Sequence, residues 1–422
     1  NGTIVSRSKM QYDEGGYSPE FGRALPTSAS QWDSTKGPVS NPNAYLTTRA
    51  KFDLYGNRIE ATDAMGNTTL TEFDLTHHAF PVKTTSAIPD PNPSQNFDGQ
   101  AHGSQTAFEG TTTYDFPTGL VLSTTDANGQ TTQMEYNDPF HRPTRVIRPA
   151  GGGQTVTEYG LGTTEATRFV RVKTQIDALN WKEATRFFDG IGRTIKTQLK
   201  NSNGDVFSET QYDNMGRVQQ IANPYRVNEP KFWTATAYDD LSRVITVTTP
   251  DGGLMQRSYS LSTTGVIGAV KTNTDQAGKQ RSGITDGLGR MIRVIEDPAH
   301  QGLVTDYVFD TLGNLRKTVQ GEQMRYFMYD SLGRVTAEAG NNYTYDPNGN
   351  LKTVTDALGR VWTYQYNAHD QVKSVKDPLN QTAYFSYDAA GNVAAAIDPR
   401  GNATTYAYGG FGKLVAQTSP HT

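Results

Sequence analysis

Cysteine is absent from this chain. A disulfide framework, a thiol nucleophile and a thiolate-held metal are therefore excluded. Charge is scarce too: Asp, Glu, Lys and Arg make up 19% of the 422 residues, below the roughly one quarter of an ordinary domain. The net charge is only −4, which leaves no basic footprint for nucleic acid. No apolar run reaches the ~18 residues that read as a membrane-spanning helix. Catalytic signatures are missing as well, with no Gly-x-Ser-x-Gly elbow, no His-Glu-x-x-His and no phosphate-binding loop. Gly151-Gly152-Gly153 lacks the third spaced glycine of a dinucleotide site and reads as a turn. The seven histidines are scattered. His77 and His78 are adjacent, and neighbours on a strand face opposite sides, so the pair chelates poorly. The expectation is a non-enzyme with no cofactor and no metal.

Hydrophobic residues make up 35% of the chain and mean hydropathy is −0.62. Thr, Ser, Asn, Gln and Gly fill the difference. That composition suits strands wetted on much of both faces. It also fits bacterial secreted or cell-surface material.

What is present is a repeat. Tyr212-Asp213-Asn214-Met215-Gly216-Arg217, Phe309-Asp310-Thr311-Leu312-Gly313-Asn314, Tyr329-Asp330-Ser331-Leu332-Gly333-Arg334, Tyr345-Asp346-Pro347-Asn348-Gly349-Asn350 and Tyr387-Asp388-Ala389-Ala390-Gly391-Asn392 share one pattern. Tyr345, Tyr366, Tyr387 and Tyr408 step by 21 residues. A fixed period in this range means one supersecondary unit stacked many times. A second turn lies between the aromatic ones, as in Asp63-Ala64-Met65-Gly66, Asp356-Ala357-Leu358-Gly359 and Asp398-Pro399-Arg400-Gly401.

Asp-x-x-Gly is turn chemistry. The Asp side chain bonds backbone two residues on, and Gly takes a positive φ without steric cost. The aromatic ends one strand and Gly-Arg/Asn-Val/Leu opens the next, which predicts a hairpin with a bulge. The structural turns are therefore Asp213/Gly216, Asp310/Gly313, Asp330/Gly333, Asp346/Gly349, Asp356/Gly359, Asp388/Gly391 and Asp398/Gly401. Aromatics at i and i+2 share a face, so Tyr345, Tyr366, Tyr387 and Tyr408 are expected to run as an aromatic ladder across the sheet. Acid/base or calcium roles for these carboxylates are disfavoured, because a repeated residue has a repeated, structural job.

The repeat divides the chain by regularity. Residues 1–184 form a degenerate region with a Pro-rich loop near 88–110, and 185–422 a regular one. The two read as one continuous array rather than separate domains. Asn1-Gly2-Thr3 lacks an initiator Met and the repeats run almost to Thr422. Both ends are thus expected to meet further repeat sequence of a longer chain or identical neighbouring chains.

The Tyr-Asp-x-x-Gly-Arg/Asn units resemble the YD repeats of Rhs proteins, of the BC shell components of insecticidal toxin complexes and of the teneurin barrel. The resemblance covers nearly the whole chain and is strongest over 185–414. It implies an all-β fold, a spiralling sheet of stacked hairpins that forms part of a hollow β-shell. In bacterial members the shell encloses a C-terminal toxin, so an encapsulated polypeptide cargo is an implied partner. The family's closing Asp-Pro-x-Gly-Leu type motif is not matched: Asp377-Pro378-Leu379-Asn380 and Asp398-Pro399-Arg400-Gly401 share only its first residues. No autoprotease residue carries over. The alternative is a surface adhesin or fibre that self-associates head-to-tail.

Overall fold

The computed structural model describes residues 6–17, 23–91, 94, 96, 98–100, 104–149, 152–176, 179–263, 265–298, 302–388, 390–408 and 414–420. Among them the chain forms 35 β-strands, two single-turn 3-10 helices (Ser34–Lys36 and Pro42–Ala44) and no α-helix. The strands belong to one antiparallel sheet, most of them paired to their neighbours in sequence. The expected fold class, all-β with hairpins stacked into a continuous sheet, is what the structure shows.

The hydrophobic core is small. Among the described residues Ala44, Ala222, Tyr225, Ile284, Val294 and Tyr384 are the buried apolar ones, and the largest side chains that are fully buried are Thr27, Asp33, Asp90 and Ser374. The accessible surface is 25281 Å², whereas a compact monomer of this mass would expose about 16,000 Å². The ladder hydrogen bonds and half-buried side chains of a solvated sheet replace the usual interior.

Two compact units arise, residues 1–135 with 147–152 and 327–422, and residues 136–146 with 153–326. This division differs in kind from the division by repeat regularity. The first unit brings degenerate sequence from the N-terminal third against regular repeats from 327 onward.

The two sets of turns are not equivalent. After Asp356 the ladder keeps register, with Thr353, Val354 and Thr355 opposite Thr363, Trp362 and Val361. At the aromatic turns it slips by one residue: Thr344 faces Thr353, but Tyr345 faces Leu351. The same slip precedes Asp213, Asp239, Asp310, Asp330 and Asp388. A bulge adds local twist and interrupts ladder bonding. Successive strands are antiparallel, so alternate turns share an edge. Within each strip, therefore, the aromatic turns place their bulges along one edge.

Candidate functional site

The repeated turn satisfies itself. Gly216 N–H donates to Asp213 O at 2.9 Å, and Asp213 N–H donates to Arg217 O at 2.8 Å. Asp213 Oδ1 accepts from the backbone N–H of Met215 and of Arg217, each at 2.9 Å, and Oδ2 accepts from Arg217 Nε at 2.7 Å. Asp356 and Asp330 repeat this pattern with Arg360 and Arg334. Where Asn replaces Arg, its Nδ2 reaches the same oxygen, as in Asn314 to Asp310, Asn350 to Asp346, Asn392 to Asp388 and Asn402 to Asp398. Arg and Asn interchange because each carries an N–H at that reach. Burial raises the Asp213 pKa, but the Arg217 backbone and guanidinium N–H groups offset this and hold it below the ordinary value. At Asp239 and Asp286 the arginine side chain is itself the largest influence, and it lowers both.

The fourth turn residue has positive φ throughout. Gly216 is at 80°, Gly313 at 88°, Gly333 at 77°, Gly349 at 95°, Gly359 at 76°, Gly391 at 86° and Gly401 at 87°. Ser242, Asp370 and Asn380 take the same conformation at 61°, 59° and 64°, which short polar side chains tolerate best.

Tyrosine links one turn to the next. Tyr212, Tyr238, Tyr345, Tyr366 and Tyr387 hydroxyls donate to the carbonyls of Thr194, Val218, Val335, Leu351 and Val372, at 2.7–3.0 Å. Each carbonyl follows the preceding aromatic turn by one residue, at the bulge where ladder bonding is interrupted. The guanidinium of that preceding turn lies over the ring: Arg193 over Tyr212 at 4.3 Å, Arg217 over Tyr238 at 4.6 Å, Arg334 over Tyr345 at 4.8 Å. Tyr345, Tyr366, Tyr387 and Tyr408 stand on every second strand of the sheet. A whole strand separates each pair, about 9.6 Å across, beyond the 4.5–7 Å of an aromatic contact. Tyr408 faces Leu414 across its hairpin. Ala389, Gly409–Lys413, Gly151, Asn1 and Thr422 lie outside the described residues.

The first unit contains a second kind of contact. Turns 330–334, 346–350 and 367–371 share one edge of the strip after 327. They dock on loops 33–44, 63–67 and 86–108, which share one edge of the N-terminal strip. Ser331 and Ser34 exchange backbone-to-hydroxyl bonds at 3.0 and 3.1 Å, and Ser331 Oγ donates to Trp32 O. Arg334 bridges its own Asp330 at 2.6 Å and Asp33 at 3.2 Å. Asn348 Nδ2 donates to Asp63 at 2.8 Å and to Asp370 at 2.9 Å. Ala368 N–H donates to Pro89 O, His369 Nε2 lies 3.0 Å from Ala87 O, and Lys373 pairs with Asp90 at 3.2 Å. Asp33, Asp90, Asp330 and Ser331 are all buried. This seam was invisible in the sequence, because it joins residues up to 301 positions apart.

Beside the seam lies a cavity of ≈ 770 Å³ whose lining includes Lys9, Met10, Leu46, Asp63, Arg334 and Asn348. Its charges are engaged: Lys9 sits over the Tyr45 ring at 3.8 Å, and Arg334 and Asp63 belong to the seam. His77 and His78 sit in the Asp74–Phe80 turn with separate partners. His77 meets Asp74 at 3.2 Å, and His78 stacks on Tyr55. Among the described residues no three His, Asp or Glu converge on a metal-sized site.

A family model described as RHS Repeat matches residues 114–152, 345–382 and 387–422. These three segments of the chain thus carry Rhs repeats. A model described as a domain of unknown function, DUF6443, matches residues 162–264. No curated protein matches it in sequence. Solved structures do match in fold. One is the crystal structure of TcdB2-TccC3, at TM-score 0.65 and 12% identity over 99% of this chain and 30% of that one. Another is TcdB2-TccC3 without the hypervariable C-terminal region, at TM-score 0.65 and 12% identity, covering 99% and 32%. A third is a Photorhabdus luminescens Tc holotoxin pore, at TM-score 0.66 and 11% identity, covering 99% and 32%. The chain thus spans about a third of the length of these structures.

Proposed function

We propose that this chain is a wall-forming strip of an Rhs/YD shell, a secreted structural element that encloses or presents a toxin or effector polypeptide and catalyses nothing itself. The observation that supports it best is the seam. A sheet strip docks by its edge on an earlier strip of the same chain, through buried Asp33, Asp330, Ser331 and Arg334. Edge-on-edge docking is what lets a narrow ribbon become a wall. Among the described residues no helix is long and apolar enough to cross a membrane. The repeat turns consume their carboxylates in capping, which leaves the repeated Asp residues no catalytic task. The test is electron cryo-microscopy of the natural polypeptide with all sequence contiguous to this chain. Repeat sheet surrounding a lumen that holds polypeptide density supports the reading, and a flat or fibrous ribbon with no lumen overturns it.

A further inference from the structure

Where loop 86–108 meets the later strip, three buried polar groups stand outside the hairpin scheme. Asp90 is 1% exposed and Asn96 6%. The Lys373 side chain, on strand Val372–Lys376, is 11% exposed. Lys373 Nζ donates to Asp90 Oδ1 at 3.2 Å, and Asn96 Nδ2 donates to Asp90 Oδ2 at 3.1 Å. One carboxyl group therefore holds an amine nitrogen on one oxygen and a primary amide nitrogen on the other. Its backbone is pinned as well: Asp90 N–H donates to Ser104 O at 3.1 Å, and Asp90 O accepts from Gln105 Nε2.

The amide has one sensible orientation. Asn96 Nδ2 also donates to Gln100 O, so an oxygen in its place would face two acceptors. That leaves Asn96 Oδ1 buried, and among the described residues it accepts no hydrogen bond. A buried carbonyl oxygen without a donor is rare in folded proteins and costs free energy. Turn capping accounts for the repeat carboxylates. It does not account for a buried amide with a bare carbonyl, held on the same carboxyl group as a lysine.

We propose that Lys373 and Asn96 become joined by an intramolecular isopeptide bond whose formation Asp90 catalyses, a covalent staple across the seam of the first unit. A lysine attacks as the neutral amine, and Asp90 Oδ1 is in place to take one proton from the ammonium. The neutral Nζ adds to Asn96 Cγ. A second Nζ proton passes through the Asp90 carboxyl group to Nδ2, the Cγ–Nδ2 bond breaks, and that nitrogen leaves as ammonia. The ammonia takes the proton left on Asp90, which restores the carboxylate. The new secondary amide keeps one N–H for Asp90 to accept. No oxidant or cofactor enters, and the step is a one-time self-modification that turns over no substrate.

The staple would do what a disulfide cannot do here, because the chain has no cysteine. Lys373 and Asp90 lie 283 positions apart, and a cross-link that closes so long a loop removes much of the freedom of the unfolded chain. This inference stands whether or not the strip encloses a cargo.

Intact-mass spectrometry of the full chain, followed by peptide mapping, tests it. The expected wild-type mass falls below the sequence mass by one ammonia, and the digest contains a branched peptide linking the Asn96 and Lys373 segments. Lys373→Arg keeps a positive charge beside Asp90 but offers no amine to acylate, so it should show its full sequence mass, as should Asp90→Ala. A wild type at full sequence mass, with the two segments in separate peptides, overturns the proposal. So does loss of one water with Lys373 linked to Asp90, which would make Asp90 the electrophile. An ammonia loss that persists in Lys373→Arg overturns it too, since it would come from cyclisation at an Asn-Gly pair such as Asn128-Gly129. If either variant misfolds, the wild-type map alone decides, by the presence or absence of the branched peptide.

Discussion

Arg334→Met is the sharpest perturbation of the seam. The guanidinium donates to Asp330 at 2.6 Å and to Asp33 at 3.2 Å, and both carboxylates are almost fully buried. Asp330 keeps the backbone N–H groups of Leu332 and Arg334, and Asp33 keeps Thr35. Met preserves most of the stem, so packing over the Tyr345 ring changes little. What disappears is the positive charge between two buried negative ones. Removing one partner of a buried pair costs about 3–5 kcal/mol, because an uncompensated charge is left behind. Replacing every member with neutral groups is far cheaper. Urea unfolding at pH 7 should show a loss of that size for Arg334→Met, and recovery of most of it in Arg334→Met/Asp330→Asn/Asp33→Asn. Trp32, whose carbonyl accepts from Ser331, gives a fluorescence probe at the seam. Arg217→Met, which removes the same Asp–Arg pair from a half-exposed turn, should cost much less. Equal losses for Arg334→Met and Arg217→Met, or a triple variant no better than the single, would refute the argument that the seam is a buried charge lock.

Gly349→Ala should cost on the order of 1–2 kcal/mol from left-handed strain alone, since its φ is 95° and the space a Cβ would enter is open to 4 Å. Gly190→Ala, in equally open space without a positive φ, should be neutral or stabilise by about 0.4–1 kcal/mol; chemical denaturation of the two separates backbone strain from crowding. Four turn aspartates are held low: Arg243, Arg290 and Asn402 lower Asp239, Asp286 and Asp398, and Arg142 holds Asp138 at about 2. A depressed folded pKa contributes stability above the ordinary value of 3.8 and loses it as pH falls through the folded value. Melting temperature should therefore hold near neutrality and drop between about pH 4 and pH 2, and a flat profile across that window would contradict the capping scheme. Lys373→Met should loosen loop 86–108 by removing the partner of buried Asp90, seen as faster proteolytic cleavage within 86–108 with the rest of the chain intact.

The hairpin was legible because its determinants lie within six residues. Asp, Gly and the aromatic state a turn, a bulge and a strand end, and those are local backbone facts. The Arg/Asn alternation was readable as a pattern, but its cause, an N–H reaching Asp Oδ2, needed coordinates. The aromatic ladder rested on period-two spacing, which gives the face and not the distance, and the intervening strand between successive rings needed coordinates. The seam left no local mark. Leu332 and Leu288 occupy the same place in nearly the same motif, yet one is half-buried at a docked edge and the other is 79% exposed. Loop 86–108 read as a break in the repeat. Its role as a seat for His369 and Lys373 depends on residues more than 280 positions away.

The repeat separates two tasks that most folds mix. Asp, Gly, the Arg or Asn, and the aromatic make their hydrogen-bonding or ring contacts inside a hairpin or with the adjacent one, and at the seam Arg334 and Asp63 reach the other strip as well. Stability then grows by nearest-neighbour increments, as in other repeat architectures, and no large hydrophobic core is required. The third turn residue carries none of that load beyond its N–H. It can be Leu, Asn, His, Ile or Met without disturbing the hairpin, and it stands at the outermost point of an edge. Edge contacts can therefore be written partly into this position, as Asn348 and His369 show against polar loops, while Ser331 and Arg334 at other turn positions carry the rest of the seam. A sheet with two chemically distinct edges, one of them bulged and tipped by such residues, has a built-in direction.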